Sequence, residues 1–600
     1  MAVNASGILH RTVENEAEDC QQAFDNVKGQ SWKEWPNHAA VSSHLPPPVA
    51  TLSRHFLGIT LANEKHQFEG LDEHRGPLQL QVKGTIPAWA AGALYRTGPG
   101  QGTVEDTSRG THYVSHWFDG FAHSHKFDII SPDGEGGETT VVYSSRRQSD
   151  DYVAQIKKIG WRCSVSFGQR ADPCIGLFAK FMSLFVPRRL NNNVVVLPNF
   201  PGLPEKRPVS TQSGHRTGTT NLYISTDNRS LQEVDPDTLE PLGFTDQSHL
   251  HPDLKGPMSC AHAQRDPETG DWFNFNLAMG RQATYRIFRV NAATGTTDIL
   301  ASVSEPDILP AYIHSFFLTE NYVVLCIPSS HLAWNGLKIY WENNLLEAIK
   351  PFDETRRCKW VVVDRRHGRG VVARFSTPAA FFFHSVNAFE EHVKDESGEN
   401  QTYINLDHSM YDTTDVMFGL YYDTILDRND ATKAYYEKHR AHKLHSRHVR
   451  YRFRMPLSEQ PREEAATATA EEVLSIPSPH SGDLSTIHPE RATRPYRYMY
   501  GTCSRGLSTF MDSLVKTDLE TRKAVLWSGP QAHTPGEPVF VPRPGGTDED
   551  DGVVLSVVLD GTAQKSYLLC LDAKTMEELG RAEADFAIAM GFHGFHAPVL

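Results

Sequence analysis

The segment EVDPDTLEPL (residues 233–242) contains an Asp that is followed three positions later by a Thr, and this spacing recurs along the chain. An Asp or Asn side chain caps a tight turn and the Thr opens the next strand, so each copy predicts the corner of a β-hairpin. Repeated corners predict repeated antiparallel sheets, for which the radial repetition of a β-propeller is an economical architecture. The pairs are Asp235/Thr238, Asp266/Thr269, Asn291/Thr294, Asp518/Thr521 and Asp572/Thr575.

Short apolar runs bounded by Gly, Pro, Asp or Asn lie between these corners. Such runs are typical of β-strands, whereas helical periodicity is scarce. The sequence therefore predicts an all-β fold. The predicted strands are VVYSS (141–145), NLYIS (221–225), WFNFNL (272–277), YVVLCIP (322–328), KWVVVD (359–364), VVLSVVL (553–559) and YLLCL (567–571).

The composition excludes several classes of protein. The chain has 59 Lys and Arg residues against 73 Asp and Glu residues, a net charge of −14, whereas a nucleic-acid-binding protein needs a basic face. No apolar run reaches the roughly 18 residues of a transmembrane helix. The start of the chain lacks the basic and apolar regions of a secretory signal. Eight Cys without a CxxC pair suit a reducing compartment, so we expect a cytoplasmic protein that is not secreted.

Three ranges describe the expected domain organisation. Residues 1–35 are polar, and we predict a poorly ordered N-terminal extension there. Residues 36–600 are expected to form a single β-propeller catalytic domain. Within that domain, residues 456–482 are rich in Pro, Ser, Ala and Glu, and this composition predicts a disordered surface insertion.

Four histidines lie at predicted strand edges in aromatic, apolar surroundings. They are His262, His314, His384 and His593, separated by 52, 70 and 209 residues. A site made of them requires closure of the fold, as on the axis of a propeller. Taken singly, each of them is better explained as an ordinary core or surface histidine.

Several motifs in order make the chain resemble the carotenoid cleavage oxygenases, a family that includes apocarotenoid and stilbene cleavers and the retinal pigment isomerase. The resemblance implies a seven-bladed β-propeller covered by a helical and loop dome. Among the family members, the motif variants are most similar to fungal enzymes that cleave torulene or form retinal. The motifs are GTIPAWAAGALYRTGPG (84–100), HWFDGFAHSHKFDI (116–129), HAQRDPETG (262–270), YIHSFFLTENYVV (312–324), FHSVNAFEE (383–391), TRPYRYMYG (493–501), PGEPVFVPRPG (535–545) and FHG (592–594).

The resemblance implies one Fe(2+) per chain, held on the axis by the four histidines named above. His593 matches the family position better than His596 because Gly594 follows it. Imidazole is a suitable ligand for iron, although it also suits zinc, copper and nickel. The expected partners are O2 and an apolar polyene, which has no coordinating atom and is placed beside the metal by shape.

The resemblance also assigns residues around the ligands. Carboxylates are expected to orient the imidazoles, and the matching positions are Glu537, Asp227 and Asp483. The family has glutamate at all three, so the two aspartates reach their imidazoles either directly or through water. Their alternative role is that of turn caps. Thr226 matches a threonine whose methyl group limits access to the open iron position, and the alternative is an ordinary strand residue.

One segment, DPCIGLFAKFMSLFVPRR (172–189), has the spacing of an apolar helical face. It is too short to span a bilayer but long enough to lie in the interface. The resemblance places it at the mouth of the substrate tunnel, and we expect peripheral membrane association; the alternative is a helix packed on the core. Cys174 is a possible acyl anchor or a plain thiol. The membrane-facing residues are Leu177, Phe178, Phe181, Leu184 and Phe185.

The implied reaction is cleavage of one C=C bond of a carotenoid or apocarotenoid, of torulene or β-carotene type, to two carbonyl products. Phe381 and Phe383 are candidate tunnel walls. Stilbene cleavers carry a lysine at the position that we align with Asp151, and no lysine follows until Lys157, which disfavours a phenolic stilbene. The alternatives are stilbene cleavage by the same iron and a propeller isomerase or binding protein that does not oxygenate.

Overall fold

The computed structural model describes residues 8–12, 71–132, 137–170, 188–204, 217–394, 398–439, 444–456, 468–506, 510–530 and 532–599. Nearly all of its regular structure is antiparallel β-sheet, as the sequence predicts. Within these ranges, no helix combines the length and the apolar character needed to cross a bilayer.

Four of the sheets each consist of four consecutive strands. Sheet 1 contains Val195–Pro198, Leu222–Ser225, Ser230–Val234 and Pro241–Asp246. Sheet 2 contains Gln264–Arg265, Trp272–Ala278, Thr284–Val290 and Thr297–Val303. Sheet 3 contains Phe317–Leu318, Tyr322–Ile327, Cys358–Asp364 and Val371–Thr377. Sheet 4 contains Phe381–Lys394, Asn400–Tyr411, Arg447–Arg454 and Glu471–Pro477.

The other two large sheets bring distant parts of the chain together. Sheet 5 contains Asp483–Thr486, Tyr498–Cys503, Ser513–Asp518 and Lys523–Trp527, and Ile8–Thr12 pairs with its last strand. Sheet 6 has ten strands from both ends of the chain: Leu78–Gly84, Gly92–Gln101, Phe121–Ile130, Thr140–Arg147, His533–Pro535, Val539–Pro542, Gly552–Asp560, Lys565–Asp572, Glu578–Glu583 and His593–Pro598. A separate hairpin pairs Thr103–Thr107 with Gly110–Tyr113.

Short helices lie between the sheets. The α-helices are Asp150–Ile159, Lys338–Glu342, Val416–Gly419, Tyr422–Ile425 and Ala431–His439. The 3-10 helices are Ala88–Ala90, Trp117–Asp119, Gln247–His249, Ala333–Gly336, Leu346–Ala348, Arg428–Asp430 and Pro489–Arg491.

The hairpin corners have the predicted chemistry. Asp235 Oδ1, for example, accepts hydrogen bonds from the backbone N–H groups of Asp237 (2.9 Å) and Thr238 (3.0 Å). The turns at Asn291, Asp518 and Asp572 repeat this pair of bonds. Each such turn joins two strands of one sheet, so the repeated pattern corresponds to repeated sheets.

The propeller-like all-β fold is confirmed, but seven separate blades are not seen. Five sheets are separate, and the ten-stranded sheet 6 stands where two further blades were expected. The reason is Leu78–Gly84, which hydrogen-bonds to Thr140–Arg147 with its first half and to Glu578–Glu583 with its second half. One strand thus joins two groups of strands into a continuous sheet.

Each of two segments that were predicted to be disordered contains one short strand. Glu471–Pro477, inside the expected 456–482 insertion, is a strand that pairs with Arg447–Arg454. Ile8–Thr12, inside the expected 1–35 extension, pairs with Lys523–Trp527. Edge positions explain both, because an edge strand needs a partner on one side only and tolerates a polar sequence. Residues 457–467 lie outside the described ranges.

The main core lies between sheets 2, 3 and 4. Phe275 and Ile287 of sheet 2 pack with Leu325 and Val361 of sheet 3, and Phe381 of sheet 4 belongs to the same cluster. These side chains are excluded from water, and their burial stabilises the fold by roughly 1.5–3 kcal/mol each. The packing of neighbouring sheets also fixes the strands in which, or next to which, the four histidines lie.

Candidate metal centre

The four predicted ligand histidines meet, although they come from different sheets. His262 precedes sheet 2 and His314 precedes sheet 3, and the backbone N–H of His262 donates to the carbonyl of His314. His384 lies in the first strand of sheet 4 at an irregularity of register between Phe382 and Ser385. Such bulges re-aim a side chain. His593 begins the last strand of sheet 6 and lies opposite Thr97.

The nitrogen atoms of these rings fit one metal ion. All four ligand atoms lie within 4.8 Å of one another. The Nε2 atom of His593 is 3.1 Å from that of His262 and 3.2 Å from that of His384. With metal–nitrogen bonds of about 2.1 Å, ligands at right angles are about 3.0 Å apart and opposite ligands about 4.2 Å apart. In the described part of the chain, no other cluster of at least three His, Cys, Asp or Glu side chains has this arrangement.

Three of the rings are oriented by carboxylates, as predicted. His314 Nδ1 lies 2.9 Å from Asp227 Oδ2, and His384 Nδ1 lies 2.7 Å from Asp483 Oδ1. Both aspartates therefore contact their imidazoles directly. His593 Nδ1 lies 2.6 Å from Glu537 Oε1. Since a carboxylate only accepts, each Nδ1 carries the proton and Nε2 keeps its lone pair for a metal.

The two aspartates are held by further donors. Asp227 accepts from the Tyr312 hydroxyl (2.8 Å) and from the backbone N–H of Ala261 (3.0 Å). Asp483 accepts from the Tyr411 hydroxyl (2.7 Å) and from the backbone N–H of Leu484 (2.9 Å). Each aspartate therefore does more than cap a turn, because it contacts both an imidazole and a tyrosine hydroxyl.

Glu537 has a different environment. It accepts from the backbone N–H of Gly594 (2.9 Å), and Arg96 Nη1 lies 3.5 Å from Glu537 Oε2. Arg96 is almost fully buried and also donates to the carbonyls of Glu537 and Gly591. The Glu537 carboxylate is therefore paired with a buried cation, whereas the two aspartates are paired with neutral phenols.

Burial favours the neutral form of two of the rings, His262 and His593. It lowers the pKa of His593 to about 4, although Glu537 opposes this shift. Burial and the three neighbouring rings hold the pKa of His262 well below 6.5. Burial raises the pKa of Asp483, but its interaction with His384 and the hydrogen bonds outweigh burial, so this pKa lies below 3.8. Imidazoles oriented by carboxylates are a suitable donor set for a cation.

An aromatic cavity of about 70 Å³ touches His314, His384 and His593. A larger cavity, of about 730 Å³, is lined in part by Asp227. Phe118 lines both. The smaller cavity is otherwise lined by Trp117, Val194, Phe383, Tyr411, Val416, Leu420, Asp483, Leu484, Met511 and Phe592.

Thr226, Phe381 and Phe383 differ in their positions relative to the two cavities. Thr226 lines the larger cavity, while Val194 lines the one beside the histidines, so the gate role of Thr226 stays a prediction. Phe383 lines the smaller cavity, but Phe381 is not a wall there: it lies in the core against Tyr312. Both residues belong to the same core cluster, but of the two only Phe383 reaches the smaller cavity.

Further predictions can be placed or set aside. His596 is not a ligand: its Nε2 lies 3.0 Å from the Ala90 carbonyl, because it sits on the strand of His593 three positions further on. Leu177, Phe178, Phe181, Leu184, Phe185 and Cys174 lie outside the described residues.

Sequence reasoning missed Tyr312, Tyr411, Arg96 and Val194. Tyr312 had a usable signal, since residues two apart in an extended chain share a face and His314 follows it. Arg96 lies inside a quoted motif, but its partner Glu537 is 441 residues away. Nothing local in the sequence connects the two.

The chain is similar to one known family and to several known proteins. The family described as retinal pigment epithelial membrane protein (RPE65) matches residues 67–598. Torulene dioxygenase of Gibberella fujikuroi is 55% identical over 605 residues, covering 100% of both chains. A carotenoid dioxygenase of Neurospora crassa is 46% identical, covering 98% of this chain and 95% of the relative. The β,β-carotene 15,15′-dioxygenase of Mus musculus is 30% identical, covering 89% and 90%.

Solved structures show the same fold. A mutant of Synechocystis apocarotenoid oxygenase superposes with a TM-score of 0.66 at 21% identity, covering 90% of this chain and 99% of the other. The cobalt-substituted form of that oxygenase gives 0.65 at 22% identity, with the same coverage. At this level of identity the likeness concerns the fold, and the site must carry the argument about chemistry.

Proposed function

The chain belongs to the RPE65 family and is an oxygenase of the carotenoid-cleaving type, and from that premise we propose that it cleaves one C=C bond of a torulene- or β-carotene-type substrate with O2 to give two carbonyl products. The observation that carries the proposal is the convergence of four imidazoles beside an aromatic cavity. The 55% identity with torulene dioxygenase supports this substrate class. We also interpret sheet 6 as two fused blades of a seven-bladed propeller.

Ferrous iron is the metal that we propose for the centre. The carboxylates of Asp227, Asp483 and Glu537, of which the last two are buried, and the Arg96 guanidinium leave two negative charges around the four rings. One divalent cation balances them, and an unbalanced buried charge is costly. Iron(II) bound there would supply the activation of O2, which no protein side chain supplies.

The chain's own residues place the substrate and exclude water. Phe118, Phe383 and Phe592 line the cavity that touches the histidines, and aromatic walls favour a conjugated hydrocarbon over water. Which double bond is cut is then a matter of positioning beside the histidines. No protein nucleophile or acid–base residue is needed.

The position that carries a lysine in stilbene cleavers does not face either cavity. Asp151 and Lys157 both lie on the helix Asp150–Ile159 and are exposed. Neither belongs to the set of residues around the two cavities. This arrangement favours a carotenoid over a resveratrol-like stilbene.

Oxygen dependence and product analysis test the proposed reaction. Iron-loaded protein is incubated with torulene, β-carotene and an apocarotenal in micelles, with and without O2. We expect loss of visible absorbance and two carbonyl products by mass spectrometry, in the aerobic samples only. Isomerised product without oxygen incorporation, or turnover of resveratrol alone, would overturn the proposal.

We further propose that the enzyme works in the cytoplasm at a lipid surface, because a carotenoid is nearly insoluble in water. Trp334, Leu337 and Trp341 are 59%, 56% and 63% exposed within one short segment. Tyr340 of the same segment lines the larger cavity, and the Arg188 guanidinium lies 5.1 Å from its ring centroid. Exposed tryptophans beside arginine suit the interface of an anionic membrane.

Vesicle flotation tests the lipid surface. We expect the protein to float with phosphatidylcholine–phosphatidylserine vesicles and the double variant Trp334→Ala/Trp341→Ala to float several-fold less. Leu579→Ala, at an exposed apolar residue of sheet 6, is the matched control. A wild-type protein that stays with the soluble fraction contradicts the proposal.

A further inference from the structure

Two of the three carboxylates that orient the ligand rings are contacted by a buried tyrosine. The Tyr312 hydroxyl lies 2.8 Å from Asp227 Oδ2, and the Tyr411 hydroxyl lies 2.7 Å from Asp483 Oδ2. Tyr312 is fully buried and Tyr411 is 7% exposed. Hydrogen bonds from a rigid phenol to an ionised carboxylate are among the strong ones.

The tyrosines occur where the carboxylate is short. The third carboxylate, Glu537, has one more methylene, and its donors are the Gly594 backbone and Arg96 instead. Aspartate has the shorter reach, so its carboxylate must be held closely in place to meet an imidazole. At Asp483 the division is clear: Oδ1 faces His384 (2.7 Å), and Oδ2 faces Tyr411 (2.7 Å).

At Asp227 the arrangement is tighter. The same oxygen, Oδ2, lies 2.9 Å from His314 Nδ1 and 2.8 Å from the Tyr312 hydroxyl. The hydroxyl is also 3.1 Å from His314 Nδ1. The phenol therefore sits against both members of the pair and restricts rotation of the aspartate and of the ring.

We propose that Tyr312 and Tyr411 are positioning residues of the metal centre, each holding a short aspartate so that it orients the imidazole of His314 or His384 for metal binding. The inference rests on the proposed iron site. It does not depend on which substrate the enzyme cleaves. The hydrogen bond from each tyrosine compensates for the methylene group that aspartate lacks relative to glutamate.

The test measures metal binding without turnover. Tyr312→Phe and Tyr411→Phe each remove one hydroxyl. We expect each to weaken ferrous iron binding about tenfold in competition with a ferrous chelator, since loss of an outer partner costs about 10–100-fold. The visible spectrum of the cobalt(II)-substituted protein should shift in both variants. Tyr500→Phe is the control, because Tyr500 is equally buried and its hydroxyl bonds to the Ala573 carbonyl, away from the site.

A second background separates positioning from packing. In Asp483→Glu the longer side chain reaches the ring without help, so adding Tyr411→Phe should cost less than twofold. An equal tenfold loss in both backgrounds, or wild-type affinity in both single variants, overturns the inference. So does failure of both single variants to fold while Tyr500→Phe folds. Tight iron binding by a wild-type protein that cleaves no carotenoid would refute the proposed function and leave this inference standing.

Discussion

Single carboxylate residues decide which nitrogen of three of the four rings faces the centre of the cluster. His314, His384 and His593 each donate Nδ1–H to a carboxylate, and this fixes the tautomer with Nε2 directed to the centre. His596 shows the contrast, because its Nε2 lies against the Ala90 carbonyl. Histidines three positions apart on one strand thus have different roles.

Replacing a ligand should remove iron and activity together. His314→Ala deletes one of the four nitrogen donors of a buried site. We therefore expect iron affinity to fall by more than about 100-fold and turnover to vanish. Metal content and oxygen-dependent bleaching are measured on the same sample. His596→Ala is the matched control and should keep about one iron per chain; turnover by an iron-free His314→Ala protein would show that the site is wrongly assigned.

At the scale of elements, the last strand both closes a sheet and presents a ligand. His593–Pro598 pairs with Gly92–Gln101 across the two ends of the chain. Its first residue, His593, is the fourth member of the histidine cluster. The same hydrogen bonds that complete sheet 6 therefore set the position of a metal ligand.

Truncation separates this strand from the residues after it. Deleting residues 593–600 removes His593 and leaves Gly92–Gln101 with only one of its two partner strands, so we expect loss of iron and a lower midpoint of thermal unfolding. Deleting residues 599 and 600 keeps the strand and should preserve iron binding. Full iron loading of the longer truncation would contradict the assignment of His593.

At the scale of the whole molecule, the fold buries histidines that must stay neutral. Burial lowers the pKa of His123 and of His408 from 6.5 to about 3. Below pH 6.5 the unfolded chain takes up protons that these rings exclude, so the free energy of unfolding falls as the pH drops from 6.5 toward 3. Each ring contributes up to about 1.4 kcal/mol per pH unit in that window.

We therefore expect a lower midpoint of thermal unfolding at pH 5 than at pH 7. His408→Phe should flatten this dependence, because the ring lies among Phe317, Phe382 and Tyr451 and phenylalanine does not titrate. His392→Phe, at an exposed histidine, is the control and should leave the slope unchanged. An unaltered slope in His408→Phe would assign the acid sensitivity to other groups.

The sequence by itself determined the hairpin corners and several of the strands, and its resemblance to a family singled out the four histidines that cluster in the structure. Turn chemistry acts within a few residues, as at Asp235 and Thr238, so it can be read locally. The histidines could be assigned because their motifs resemble those of a family, although their meeting point is made only by the closed fold.

Only the tertiary structure decided what surrounds those histidines. The tyrosines on the aspartates, the burial of Arg96 and the fusion of sheet 6 by Leu78–Gly84 all depend on contacts between segments far apart in the chain. The physical reason is that a hydrogen bond depends on distance in space, and no spacing along the sequence sets the separation of Tyr411 from Asp483 or of Arg96 from Glu537.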